Sequence, residues 1–160
     1  LTQVAGRAGR SALTGEVVIQ TCQPRHETLA HVLGHDYLAF YRQEMAYREE
    51  LSYPPFSRIA LIEFRGAADE AVMRHAEAFA KLLRERKQSL AILGPAAAAI
   101  HKLKGSYRWH VVVKGIRSAD PSGKRLHRLL QDTIAAFGRT SHGRDMSVRM
   151  TLDVDPQGMM

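Results

Sequence analysis

Tyr107-Arg108-Trp109-His110-Val111-Val112-Val113-Lys114 alternates with a period of two. Successive side chains of a strand point to opposite faces. Tyr107, Trp109, Val111 and Val113 therefore share one face, and Arg108, His110, Val112 and Lys114 the other. One face is apolar and the other carries cations, the pattern of a strand half-buried in a sheet. Outward from this stretch the periods change regularly. Leu90 to Leu93 reads as a short strand that runs into Gly94-Pro95 and an alanine stretch ending at Ile100. Ahead of it, Asp69 is placed to cap a helix whose Val72, Met73, Ala76, Phe79, Ala80 and Leu83 form one stripe. Ile59 to Phe64 is a strand with Ala60, Ile62 and Phe64 on one face. Downstream, Ser122 is placed to cap a helix with Leu126, Leu129, Leu130, Ile134 and Phe137 inward, and Val148, Met150, Leu152 and Val154 alternate in a last strand. The order is β-α-β-β-α-β. It closes most simply as an α+β, ferredoxin-like sheet of four antiparallel strands with both helices on one face.

Pro54-Pro55 stops whatever helix precedes it, because proline has no amide hydrogen and clashes with the preceding turn. Before it, Tyr37, Phe40, Tyr41, Met45 and Arg48 recur at spacings of three and four, so 37–50 is a helix with Asp36 as its N-cap. Helical spacing favours core packing for this aromatic face over a base-stacking platform. Thr28 to Leu33 is a short helix ending near Gly34. Residues 16–21 (EVVIQT) are β-branched and apolar and read as a buried strand. The expected boundary separates 1–51 from 52–160.

Gln3-Val4-Ala5-Gly6-Arg7-Ala8-Gly9-Arg10 carries two arginines, each preceded by a glycine, with no carboxylate beside them. Arginine keeps its charge at any physiological pH, and its planar fork matches phosphate oxygens. Gly6 and Gly9 let a ligand approach the backbone where a Cβ would block it. A solvated basic loop is the other reading of G-R-x-G-R on its own. The whole string Q-x-x-G-R-x-G-R resembles motif VI of superfamily 2 helicases. With Gly15-Glu16-Val17-Val18-Ile19-Gln20-Thr21 after it, the stretch is similar to the PriA (primosomal protein N′) family of replication-restart helicases. The likeness continues in the same order through Asp36-Tyr37, Tyr53-Pro54-Pro55-Phe56, Leu93-Gly94-Pro95-Ala96, Lys102-Leu103-Lys104-Gly105-Ser106-Tyr107-Arg108-Trp109 and Asp153-Val154-Asp155-Pro156-Gln157. Ala98 and Ala99 stand where the family usually has a second proline, and Ser106 where it has arginine.

The resemblance implies the C-terminal part of an ATP-dependent DNA helicase that recognises forked replication DNA and initiates primosome assembly. Residues 1–51 would be the end of an α/β helicase lobe and 52–160 a DNA- and partner-binding domain. Gln3, Gly6, Arg7, Gly9 and Arg10 would bind ATP, with Arg7 and Arg10 catalytic. ATP and Mg²⁺ would be held by the parent protein, and zinc by its cysteines outside this chain. The implied partners are single-stranded and forked DNA, single-stranded-DNA-binding protein and other primosomal proteins, in the bacterial cytoplasm. The chain starts at Leu1, not Met, with a nucleotide-binding motif in its first ten residues, which reads as a piece of a longer protein. It has no G-x-x-x-x-G-K-[ST] loop to cradle phosphates and no acidic motif to hold Mg²⁺, so no activity is expected of it alone.

The net charge of +7 makes a polyanionic partner plausible, and its distribution sharpens the point. From Arg86 to Ala119 there is no Asp or Glu, against seven Lys and Arg. Lys102, Lys104 and Arg108 lie near the tip of a hairpin with Gly105 at its turn, where they could grip a phosphate backbone or be a solvated turn. Trp109 shares a face with Val111 and Val113 and is read as core, whereas Tyr107 is open to either role. Lys124, Arg125, His127 and Arg128 sit at the start of the last helix, where positive charge opposes the macrodipole. A solvated face is the plainer reading of them, and the resemblance offers the acidic tail of single-stranded-DNA-binding protein as a partner. Cys22 is the only cysteine, so a disulfide or cysteine-based zinc site within the chain is excluded. His26, His31 and His35 lack carboxylate partners, so no metal site is expected. No apolar run approaches the roughly 20 residues that span a bilayer, and no membrane partner is expected. The rival reading is a non-enzymatic, ferredoxin-like nucleic-acid-binding module of ribosomal type with the arginines as a basic arm.

Overall fold

The computed structural model describes residues 16–86 and 90–156. The chain divides into two compact units, Leu1–Tyr47 and Arg48–Met160. Its elements are α1 (Glu27–Leu33), α2 (Tyr37–Glu50), β1 (Ser57–Gly66), α3 (Asp69–Arg86), β2 (Ala91–Leu103), β3 (Ser106–Ile116), α4 (Lys124–Phe137), α5 (Ser141–Arg144) and β4 (Val148–Val154). The sheet order is β2-β3-β1-β4, and the three neighbouring pairs are all antiparallel. This is the ferredoxin-like arrangement expected from the alternation of periods.

β1 is an inner strand with partners on both edges. Its Ala60, Ile62 and Phe64 face the helices as expected, and Ile59 and Leu61 on the other face are buried as well. Phe64 meets Phe79 of α3 and Phe137 of α4 at ring-centroid distances of 5.6 and 6.0 Å, and those two rings meet at 5.3 Å. Val72, Ala76, Ala80 and Leu83 of α3, Leu126, Leu129 and Leu130 of α4, and Val111 and Val113 of β3 complete this core. Alanines at 60, 76 and 80 leave room for the three phenyl rings, so large and small side chains interdigitate. Ile134, Val148 and Met150 pack at its margin.

Both helix starts differ from the sequence reading. Asp69 is the first residue of α3, and its carboxylate turns to the side chains of Trp109 and His101. Gly123, not Ser122, precedes α4, and no side chain at that position caps it. The buried Asp120 does so instead, its Oδ2 accepting from the amides of Arg125 at 3.0 Å and Leu126 at 3.1 Å. A carboxylate there also offsets the macrodipole that Lys124 and Arg125 oppose.

β2 is longer than the expected strand at 90–93. It continues to Leu103 through register shifts between Leu93 and Ala96 and between Ala97 and Lys102. Gly94 has a φ of 87°, and a Cβ on it would lie 2.6 Å from the His110 carbonyl oxygen. Such a bulge re-aims the strand and lets Pro95, which cannot donate, sit on a sheet edge. Lys104 and Gly105, at φ of 49° and 79°, form the two-residue turn to β3, the left-handed pair that matches strand twist. In β4 the alternation holds for Val148 and Met150, but Leu152 and Val154 are exposed because the helices do not cover that end.

In the first unit the Asp36 carboxylate accepts from Ala39 N at 2.9 Å and caps α2 as expected. His31 bridges the helices, its ring 6.2 Å from Phe40 and its Nε2 2.5 Å from Gln43 Oε1, and Gln43 Nε2 also donates to Glu27. Two expectations fail here. Residues 16–21 form no strand, and Val17 and Val18 are exposed. The aromatic face of α2 is not core either, for Tyr37 and Tyr41 are exposed, Phe40 and Met45 are only half-buried, and α2 buries no residue. Among the described residues no strand pairs with 16–21, and a seven-residue neighbour cannot cover a fourteen-residue helix.

The difference in packing predicts a difference in stability. Phe79→Ala empties the meeting point of the three rings and should cost about 3–5 kcal/mol. Tyr41→Ala should cost at most about 0.5 kcal/mol. Urea unfolding followed through Trp109, the single tryptophan, reads the first effect directly. Hydrogen exchange should likewise protect β1 and β3 more strongly than α1 and α2.

Candidate nucleic-acid interface

The β2–β3 hairpin is where the sequence placed its cations, and the two faces of the sheet divide them. Lys102, Lys104 and Gly105 are exposed at the turn. The Lys102 ammonium donates to the Tyr107 hydroxyl at 3.1 Å and lies 4.6 Å from the centre of that ring. Tyr107 faces the helices at the margin of the core, so one edge of its ring is packed and its hydroxyl end is held by lysine.

Behind the tip, Asp69 organises an aromatic cluster. Its Oδ1 accepts from Trp109 Nε1 at 2.7 Å and is 2.9 Å from His101 Nε2. The His101 ring stands 5.4 Å from Tyr107 and 5.9 Å from Trp109. The hydrogen bond from Trp109, reinforced by that from His101, holds the Asp69 carboxyl below its ordinary range. Trp109 is packed against the core as its alternation implied.

Arg108 stands apart from the lysines. It lies on the opposite face, 8% exposed, and donates through Nε at 2.8 Å and Nη2 at 2.5 Å to Glu63 Oε2. Its Nη1 reaches the Ile100 carbonyl at 3.5 Å, and His110 Nε2 is 3.1 Å from the same Glu63 oxygen. Burial pushes the Glu63 carboxyl up, but hydrogen bonds and charge from Arg108 and His110 outweigh it and leave it below its ordinary range. Glu63 escaped notice in the sequence and Asp69 was read only as a helix cap, because only the pairing of distant strands brings Arg108 and His110 to the one and Trp109 and His101 to the other.

The third expected surface is in place on α4, where Lys124, Arg125, His127 and Arg128 are exposed. They border an open groove of about 1330 Å³ that Arg58 and Arg86 also line, with Glu85 and Asp132 as its acidic members. Gln3, Gly6, Arg7, Gly9 and Arg10 lie outside the described residues. Cys22 is exposed, and among the described residues no three His, Cys, Asp or Glu stand together to hold a metal ion. No described helix is long and apolar enough to cross a membrane.

Residues 49–157 match the family of the primosomal protein N C-terminal domain. The replication restart protein PriA of Synechocystis sp. is 41% identical over 115 residues, which are 71% of this chain and 14% of that protein. Its counterpart in Chlamydia pneumoniae is 35% identical over 157 residues, 98% of this chain and 20% of that one. For Bacillus subtilis the identity is 35% over 164 residues, covering 100% and 19%. The chain spans about a fifth or less of the length of these relatives.

The Glu63 cluster predicts an acid dependence. The Glu63 and Asp69 carboxyls are both lowered in the folded chain. Their contribution is therefore fully present above the unfolded values of about 3.9–4.3 and is lost as pH falls through the folded ones. The urea midpoint should drop in that window. Glu63→Gln should lower stability at pH 7 by roughly 3 kcal/mol, because the buried Arg108 and His110 lose the carboxylate they share, and should make the acid dependence shallower.

Proposed function

The chain belongs to the primosomal protein N C-terminal domain family, and we propose that it is the C-terminal part of an ATP-dependent DNA helicase of replication restart. In this reading residues 1–51 end the second helicase lobe, and 52–160 hold single-stranded or forked DNA and primosomal partners in the cytoplasm. The observation that carries it is the hairpin turn. Lys102 and Lys104 project from an acid-free stretch, with Lys102 braced on Tyr107, in a domain of this family. Contacts of this kind supply affinity and position without reading sequence. Arg108, engaged by Glu63, supports the hairpin from behind. The exposed Lys124, Arg125 and Arg128 suit an acidic tail such as that of single-stranded-DNA-binding protein.

Arg7 and Arg10 stabilise charge on the transferring phosphoryl group in this reading. An arginine so placed is worth a factor of about 10³–10⁵, or roughly 4–7 kcal/mol. The phosphate cradle and the ligands for Mg²⁺ come from the rest of the parent. Zinc does not fit this chain's own donors, which offer a single exposed cysteine.

Fluorescence anisotropy with labelled single-stranded and forked DNA tests the binding. The double variant Lys102→Ala/Lys104→Ala should bind more weakly, with a salt slope reduced by roughly 1–2. Unchanged affinity and slope would reduce the lysines to a solvated turn. The chain alone should not hydrolyse ATP with or without DNA. In the intact parent, Arg7→Ala or Arg10→Ala should sharply lower DNA-stimulated turnover while nucleotide binding suffers less, and Arg→Lys should rescue poorly. Wild-type turnover in the Arg10 variant would demote the motif to a basic loop and leave the helicase reading resting on family likeness alone.

A further inference from the structure

The outer face of the sheet, away from α3 and α4, carries a feature that only strand register reveals. Arg65 of β1 is directly opposite Arg108 of β3 on one side and Arg149 of β4 on the other. Three arginines thus stand side by side across three strands. All three point outward, because Phe64 and Met150 beside them face the core and Arg108 bonds the outward Glu63. Like charges directly opposite one another on a sheet are destabilising. Glu63, one rung away, answers Arg108 with a charge-assisted pair. Arg65 and Arg149 have no such answer, for neither side chain makes a hydrogen bond or ion pair with a described residue. Arg65 is half-buried and Arg149 exposed. Two guanidiniums, each with five donors in a fixed fork, are held next to each other with nothing in the described chain to accept from them.

The position on the sheet adds direction. Arg108 is the third residue of β3, so the rung lies at the end of the sheet where Lys104 and Gly105 turn. The next rung is Thr151, Glu63 and His110. A path from the exposed lysines of the turn over the end of the sheet to Arg65 and Arg149 crosses no unpaired carboxylate on β1 or β3. This face has no phenyl, phenol or indole ring on these rungs, so it offers forks to oxygen and no platform for stacking bases.

We infer that Arg65 and Arg149 form a phosphodiester-binding rung on the outer sheet face, which carries a single-stranded nucleic acid on from the Lys102–Lys104 turn. This rests on the nucleic-acid reading above and extends it from the turn to a second, separate surface. Phosphate oxygens accept from both forks and relieve the repulsion between the two charges, so binding and the local charge pattern favour each other.

The experiment uses the whole chain and a fluorescein-labelled oligothymidylate, with anisotropy titrations across salt concentration. Arg65→Gln/Arg149→Gln should weaken binding and lower the salt slope by about 1.4, from two contacts on a single strand. Arg65→Lys/Arg149→Lys should keep the slope and lose part of the affinity. Arg74→Gln removes one exposed cation of α3, paired with Glu70, and should change neither. The glutamine variants should keep or raise the thermal midpoint, since they remove a repulsion. If they lower the midpoint and leave binding intact, the rung is structural and the inference falls. If Lys102→Ala/Lys104→Ala weakens binding and Arg65→Gln/Arg149→Gln does not, the inference falls while the proposed function stands. No binding by the wild-type chain overturns both. Competition by polyglutamate as strong as by unlabelled oligothymidylate overturns the assignment to phosphodiesters. Without any variant, the Arg65 and Arg149 Nε–H resonances of the wild-type chain should move during the titration, and stationary ones overturn the rung.

Discussion

Three phenyl rings, one from the middle strand and one from each covering helix, hold the second unit together. Phe64 can meet Phe79 and Phe137 only if β1 lies inside the sheet and both helices cross the same face. Tilted and edge-to-face rings at these separations add to the area they bury, and their geometry is specific. That single meeting point fixes the layer order, with both of those helices on one face of the sheet. The nucleic-acid reading draws on the other face and on the hairpin at its end.

The charges on the two faces then play different parts. Asp69, on the helix side, draws Trp109 and His101 together and so stiffens the base of the hairpin. Glu63, on the outer side, engages Arg108 and His110 inside a nearly closed environment. Arg108 and His110 thus serve the fold, since both are buried and share that one carboxylate. Lys102, Lys104, Arg65 and Arg149 have no carboxylate of their own in the described chain. The same net positive charge thus contains a structural portion and a portion left to meet something anionic.

The elements whose cues are local were legible in the sequence. The alternation at 107–114, the α3 stripe and the leucines of α4 each name their own buried face, and the topology follows from their order. What failed depended on partners distant in sequence. Residues 16–21 have the composition of a strand but no strand beside them, and composition alone does not bond a backbone. The tyrosines of α2 have the spacing of a core and nothing described to cover them. Gly94-Pro95 looks like an end to β2 because a bulge reads as a break until the partner strand is known. Asp120 caps α4 from outside it, where no fixed spacing points. Arg108 looked like a neighbour of Lys102 and Lys104, yet period two had already placed it on the other face. The rung of Arg65, Arg108 and Arg149 is invisible to any reading that does not set three strands in register.

The two outer strands of the sheet also differ in how they meet a stranger. β2 is bent by two register shifts and carries a proline, so its free backbone groups do not form a straight row. A second copy of the chain, or any extended segment, finds no regular template along it. β4 pairs without interruption from Val148 to Val154 and places Leu152 and Val154 in the open. Arg149 and Asp153 are exposed beside them, and an incoming apolar strand would have to desolvate both charges. Solubility of the sheet is therefore guarded by backbone shape along one margin and by charge along the other. Salt and pH act on only the second of these guards.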